Sequence, residues 1–586
     1  MKAEERWQAR FRAPRVTLPA WARLAPHRAV YRGNASGAWE IYAWDRFSGH
    51  TRQVTDRPRG TRRGAVDPRG RWIWWFADTD GDEHGTWMRQ PFQGGPDVPV
   101  AVPPGHPCGL GLAADGTAAV GRSCRDGFEV LIARPDAEPV TLYRSDEYTA
   151  VTDMSLDGSL VAIVHGEHGD AVHPALRVLR ADGRPVGDLH DGPGKGITSA
   201  RFAPVQGDRR LLILHERRGR REPLVWDPTT GEQREIWLPV PGEISADWYG
   251  DGRALLIMHS HRGRSHLLRY DLAGGDLTPI ESPHGVIHAA VPRPDGTIEY
   301  SWSSASHPPV IRSSNGQVVM SPGRAAPPSV PIEDLDVDGP GGRIHVLVSR
   351  PERVAPPYPA LFLLHAGPDE QDDDSFQPHV AAWVDSGFAV IQVNHRGSSG
   401  YGSAWRDAII GDVGHVELAD VAAVRDSLVE RGIADPDRLV VAGASWGGYL
   451  TLLALGSQPK AWAAGIAALP IADHAAAYED EAETPRALHR ALLGGSPAEV
   501  PERYAVASPI SYAGMVEAPV MIIAGGENSG SPGRQVDGYV QALADQGRDV
   551  TLHRCDRGHG TRVVEERIQV MSASIDFAVR AISGRA

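Results

Sequence analysis

Lysine is nearly absent. Lys2, Lys195 and Lys460 are the only three in 586 residues, so almost all positive charge is arginine. The formal net charge is −14, which argues against a nucleic-acid surface as the main business, because phosphate contacts need clustered cations. Cysteine is equally scarce. Cys108, Cys124 and Cys555 form neither a disulfide framework nor a metal-ligand spacing, and all three are expected to be reduced. Long apolar runs are missing too: nothing approaches the roughly 20 residues of a membrane span. The opening "MKAEERWQARFRAPRVTLPAW" has no apolar core of signal-peptide length. The expectation is a cytoplasmic protein that engages neither nucleic acid nor membrane and holds no metal.

What is present is an ordinary globular balance, 41% hydrophobic and 23% charged. The length exceeds what one hydrophobic core sustains, so two or more domains are expected. Up to about residue 330 the chain repeats itself. β-rich runs follow small turn signals in "VDPRGRWIWWF", "LAADGTAAVG", "MSLDGSLVAIVH", "FAPVQGDRRLLILH", "WYGDGRALLIMH" and "VPRPDGTIEYSW". Asp-Gly supplies the positive φ angles of a tight hairpin turn. The turns recur at roughly 40–50 residues, the period of a four-stranded propeller blade. With "GAWEIYAWDRFSGHTRQV" as part of a first blade, the count reaches seven. A pair of β-sandwiches is the alternative. The segment "SPGRAAPPSVP", 321–331, reads as a linker. Beyond it strands alternate with helical patterns, which implies a mostly parallel, doubly wound sheet. The reading is therefore a β-propeller over 1–330 and an α/β-hydrolase domain over 331–586. It leaves open whether the first ~25 residues pack on the hydrolase half.

The hydrolase half carries the chemistry. "DRLVVAGASWGGYLTLLAL" is strand, turn and helix, with Gly443-Ala444-Ser445-Trp446-Gly447 at the turn. In that context G-x-S-x-G exposes a nucleophilic serine, and only small residues fit two before and two after it. The N–H of Trp446 then faces a developing oxyanion at a helix N-terminus. A serine hydroxyl needs a base. "CDRGHGTRV" places His559 on a loop after the last strand, where chain order puts that base. A second oxyanion donor should follow an early strand, and "LFLLHAGPDE" offers the N–H of Gly367. No organic cofactor is needed for such chemistry.

These residues resemble the prolyl oligopeptidase family, most closely its acylaminoacyl-peptidase and aminopeptidase-like branch. The carriers are "HAGP" at 365–368, "NHRGSSGYG" at 394–402, "GASWGGYL" at 443–450 and "DRGHG" at 556–560. The resemblance implies serine-dependent cleavage of short peptides or amino-acid amides between the two domains, with the propeller limiting substrate size. It also implies Ser445 as nucleophile, His559 as base, and Trp446 and Gly367 as oxyanion donors. Several members assemble, which leaves self-association open.

One stretch departs from the family. Where the family carries the triad aspartate, this chain reads "AGGENSGSPGRQ", with Asn528 at the aspartate position and Glu527 beside it. A neutral amide at that place can impose the wrong histidine tautomer and cost about 10⁴ in rate. Three arrangements stand: Glu527 through a one-residue shift of the loop, Asn528 itself, or a more distant acid such as Asp537. Near the expected substrate site lies "YEDEAETP", so Tyr478 could wall an apolar pocket. Glu479, Asp480, Glu481 and Glu483 are candidates for receiving a cationic α-amino group. The expected activity is release of N-terminal residues from unblocked short peptides or aminoacyl amides. The alternatives are an acylaminoacyl-peptidase or esterase acting on blocked ends or esters, and a catalytically silent binding protein, the last motivated by Asn528.

Overall fold

The computed structural model describes residues 3–78, 83–321, 323, 325–525, 533–555 and 563–583. Seven four-stranded antiparallel sheets occupy 20–53, 64–99, 106–145, 149–189, 197–235, 243–280 and 286–320, the blades of a propeller. Each blade draws its strands in chain order from one contiguous stretch. The six turns read from the sequence join the first and second strands of blades two to seven. Gly70, Gly116, Gly158, Gly207, Gly252 and Gly296 have φ between +65° and +97° there, while the residue before each does not. Glycine alone therefore supplies the left-handed step. The aspartates do something else: they accept N–H groups of their own turns. Asp115 Oδ1 accepts from Thr117 N–H at 2.8 Å and Asp157 Oδ1 from Ser159 N–H at 3.0 Å.

Blades pack face to face through alternating apolar positions. Leu160, Ala162 and Val178 of the fourth blade meet Phe202, Leu211 and Ile213 of the fifth. The ring closes between blades one and seven without exchanging a strand. Buried Glu299 of blade seven accepts from Trp21 Nε1 at 2.9 Å and Arg46 Nη1 at 2.6 Å. Arg293 lies 3.8 Å over the Trp21 ring.

The hydrolase half is one eight-stranded sheet. Its strands are β1 (Glu333–Gly339), β2 (Gly342–Ser349), β3 (Tyr358–Leu364), β4 (Ala389–Asn394), β5 (Ala434–Ala444), β6 (Ala464–Ala468), β7 (Val520–Gly525) and β8 (Val550–Cys555). Their spatial order is 1-2-4-3-5-6-7-8. Pairings from β4 onward through β3 to β8 are parallel, and β1 and β2 join antiparallel at one edge. β3 shows why both faces are covered: Ala360, Phe362 and Leu364 enter one core and Leu361 the other.

The N-terminal helix α1 (Ala3–Arg12) belongs spatially to this half, although blade one follows it in the chain. Trp7 and Phe11 are buried with Val380, Trp383, Phe388 and Phe577 of the hydrolase core. Asp385, at the end of α2 (Pro378–Asp385), pairs with Arg6 and with Arg10 Nη1 at 2.6 Å. Arg10 Nη2 also donates to Pro328 O in the connecting segment at 2.6 Å.

Arginine–carboxylate pairs tie the halves together. Arg221 Nη2 meets Asp369 Oδ2 at 2.5 Å, Arg262 meets Asp336 at 2.9 Å, Arg264 meets Asp334 at 2.6 Å, and buried Arg406 pairs with Glu216. Ser403 N–H donates to Gly219 O at 2.8 Å and Gly402 N–H to Glu243 Oε1 at 3.1 Å.

Both Asp385 and Arg10 keep side chains only 2% exposed. Asp385→Ala strands a buried guanidinium, a change that costs about 3–5 kcal/mol. The expected outcome is a lower Tm and rapid proteolytic loss of α1, read by thermal unfolding and limited digestion. A variant with parental Tm and digestion pattern contradicts the clamp.

Candidate active site

The site is built where β5 ends and α4 (Trp446–Ser457) begins. Ser445 stands between them at φ 53°, ψ −115°, a backbone conformation that side chains rarely adopt. Two contacts hold it there: Ser445 N–H donates to Ala468 O at the end of β6, and Tyr449 N–H donates to Ser445 O, both at 2.9 Å. The flanking glycines follow from backbone crowding. A Cβ on Gly443 would lie 2.4 Å from Gly447 C and O. On Gly447 it would lie 2.1 Å from Leu364 O, and on Gly448 2.7 Å from Ala468 O. β3, β5, β6 and α4 therefore converge within backbone contact around one half-buried serine.

Trp446 opens α4, so its N–H is among the four with no acceptor inside the helix. Its side chain is buried and donates Nε1–H to Glu417 Oε1 at 3.3 Å. Glu417 lies in the first turn of α3 (His415–Glu430) and its Oε2 accepts from Gly414 N–H at 2.7 Å. Burial pushes its carboxyl up to about 8, against those hydrogen bonds. Nothing in the sequence reading anticipated a carboxylic acid beneath the nucleophile turn. The available signal was a Glu three residues after the glycine that starts the helix.

Gly367, the other donor candidate, follows β3 with φ +147°. Two residues before it stands one member of a stacked histidine pair: the rings of His365 and His395 lie 4.5 Å apart at 12°. Each Nδ1–H donates to a backbone carbonyl, Ala366 O at 2.6 Å and Arg396 O at 2.7 Å. His365 Nε2 then accepts from Ser398 Oγ at 2.8 Å. Burial, with His395 adding to it, takes His365 down to about 3, and burial takes His395 to about 4. Both rings are neutral at physiological pH and too weakly basic to activate a serine.

His559, Glu527 and Asn528 lie outside the described residues, and Asp537 forms an ion pair with Arg554.

Gly367 also lines a cavity of about 490 Å³ between the halves. The propeller contributes Tyr148, Thr152, Thr198 and Arg221, and the hydrolase half contributes Glu370 and Arg406. Ser445 is not one of its wall residues. The volume falls within the about 300–1,000 Å³ usual for small-molecule sites.

The four carboxylates singled out for amine recognition are distributed differently from the expectation. Glu479 and Asp480 both pair with Arg534 at 2.8 Å, on the exposed side. Glu483 pairs with Arg486 at 2.8 Å. Glu481 is half-buried, 3.7 Å from His489, and pushed up to about 7 by burial of its side chain. Tyr478 accepts at its hydroxyl from Arg490 Nη1 at 3.0 Å and packs 6.0 Å from the Tyr504 ring. An acidic run in sequence thus becomes two arginine-neutralised carboxylates on the outside, a third within its own helix, and one half-buried acid beside His489. Among the described residues no group of three or more His, Cys, Asp or Glu side chains is arranged to hold a metal ion. No described helix is long and apolar enough to cross a membrane.

Residues 374–585 match the model of the prolyl oligopeptidase family. An acylamino-acid-releasing enzyme of Arabidopsis thaliana is 29% identical over 243 residues, 38% of this chain and 31% of that protein. Dipeptidyl peptidase family member 6 of Caenorhabditis elegans is 28% identical over 246 residues, 40% of this chain and 32% of that protein. These matches thus span about a third of the length of either relative. Similarity of fold extends further. A puromycin-hydrolysing peptidase of Mycobacterium tuberculosis superposes with a TM-score of 0.80 at 20% identity, covering 99% of this chain and 96% of its own. An acylaminoacyl peptidase of Pyrococcus horikoshii does so with a TM-score of 0.72 at 15% identity, covering 98% and 97%. Behind its seven-bladed propeller, the chain carries over residues 374–585 a domain of the prolyl oligopeptidase family, a family of serine peptidases.

Proposed function

We propose that the chain is a serine peptidase that releases N-terminal residues from short unblocked peptides or aminoacyl amides. The observation that carries this is Ser445, held at positive φ on a turn whose neighbours cannot bear a side chain. In the proposed reaction Ser445 Oγ attacks the scissile carbonyl while His559 takes its proton. The oxyanion is met by the N–H groups of Trp446 and Gly367. Collapse breaks the C–N bond, and the imidazolium returns the proton to the leaving amine. Water then attacks the acyl-enzyme by the same route and frees Ser445. Glu527 or Asn528 orients the histidine. The cavity volume supports small substrates.

A second reading has its own support. Relatives named for releasing acylamino acids are among the matches, and Glu479, Asp480 and Glu483 are already paired with arginine. Both favour a blocked N-terminus or an ester. Paired assays with free and acetylated aminoacyl-arylamides separate the two readings. A silent binding protein would fail to react with a fluorophosphonate.

Ser445→Ala is expected to lose arylamide hydrolysis, by up to about 10⁶-fold in kcat, and all fluorophosphonate labelling, with Tm unchanged. A parental rate in that variant removes the mechanism. Glu527→Gln is expected to lower kcat by about 10⁴, while Asn528→Asp leaves it close to parental. The reverse pattern, an inert Glu527→Gln and a large gain in Asn528→Asp, assigns the position to Asn528.

A further inference from the structure

The carboxylates around the interdomain cavity are sorted by their partners. Asp369 is held by Arg221 at 2.5 Å. Asp407 lies 2.6 Å from Arg406 Nε and 3.1 Å from His173 Nε2. Glu216 pairs with the same Arg406. Glu370 differs: it lines the cavity, yet among the described residues its side chain has no ion pair and no hydrogen bond. Its backbone is fixed at both ends. The N–H donates to Pro368 O and the carbonyl accepts from Ser399 N–H, both at 2.9 Å. Glu370 Cβ lies 3.6 Å from where a Cβ on Gly367 would stand. Glu370 is exposed to solvent in the free protein, and what burial it has, together with the neighbouring Asp369, raises its pKa.

Resting on the peptidase reading above, we infer that Glu370 is a specificity-determining residue that receives the free α-ammonium group of the substrate's first residue. The geometry favours that residue over one further back. An oxyanion sits about 2.9 Å from the Gly367 N–H. The α-nitrogen of the residue being released is two bonds, roughly 2.5 Å, from its carbonyl carbon. That ammonium therefore falls within side-chain reach of a glutamate rooted beside Gly367. In a dipeptide leaving unit the ammonium stands a further ~3.8 Å away. An acetylated amine carries no charge and leaves Glu370 desolvated and unpaired. Glu370 thus selects single, unblocked N-terminal residues, a task the sequence pattern had assigned to the segment 479–483.

The test is Glu370→Gln and Glu370→Asp, each assayed on an aminoacyl-arylamide and its N-acetyl counterpart. Glu370→Gln is expected to lower kcat/KM for the free amine by roughly 10- to 100-fold, mainly through KM. Hydrolysis of the acetylated substrate does not fall, because the charge that its binding would leave unpaired is gone; fluorophosphonate labelling of Ser445 persists, and Glu370→Asp recovers part of the loss. The carboxylate is charged above its pKa, so the parental KM for the free amine rises as pH falls through that pKa. The rise is absent in Glu370→Gln, although Asp369, Arg221, Arg406, Asp407 and His173 remain around the cavity. An unchanged ratio between the two substrates in Glu370→Gln overturns the inference. Failure of the peptidase reading shows separately, in Ser445→Ala keeping a parental rate or in a parent that cleaves neither substrate.

Discussion

A carbonyl oxygen decides the architecture of the site. Leu364 O sits 2.1 Å from the place a Cβ on Gly447 would take, so α4 can start there only over a bare backbone. That approach locks the end of β3 against the start of α4. β3 leads directly to Gly367, and α4 begins directly after Ser445, so one contact sets where the hydroxyl stands relative to the proposed oxyanion donors. Local strain at Ser445 persists because the surrounding sheet fixes it from three strands. The buried Trp446–Glu417 contact supports the same turn from below.

The second constraint is electrostatic. The seam between the halves is made mostly by arginine, and the near-absence of lysine matches what that seam needs. A guanidinium can hold a carboxylate and a neighbouring acceptor at once, as Arg406 does with Glu216 and Asp407. Isolated pairs of this kind contribute little in water. Here Arg406 and Glu216 are buried, so removing one partner leaves the other charged and unsolvated. The stretch "GPDEQDDDSF" is spent largely in this way. Asp374 binds Ala305 N–H at 2.9 Å and stands 3.3 Å from Arg264, and Asp372 turns inward to Gln392 at 2.7 Å. Of that run, Glu370 lines the cavity and has no side-chain partner among the described residues.

Much of the fold was legible in the sequence because it depends on local chemistry. A turn that requires positive φ announces itself as glycine, and six such turns at one period outline the blades. The nucleophile turn was legible for the same reason: steric exclusion leaves only glycine at 443 and 447. Charge was harder to read. Glu370, Glu479 and Glu481 look equivalent in a line of acids, and only the fold tells them apart: Arg534 pairs with Glu479, His489 stands beside Glu481, and Glu370 has no partner among the described residues. Glu417 was invisible because its burial beneath Trp446 is a tertiary fact. The helix α1 was left unplaced because Trp7 and Phe11 can fill either core, and only packing with Trp383 and Phe577 decides.

That helix changes how the two halves can move. Because α1 lies on the hydrolase half, the backbone crosses the boundary twice, once after Arg12 and once near the segment 321–332. Arg10 binds the Pro328 carbonyl, so the crossings are side by side. A domain tethered by one strand swivels freely; one tethered by two has an axis. Two adjacent crossings restrain the propeller and the hydrolase half more than one would, and the Arg406–Glu216 pair adds a further tie between them.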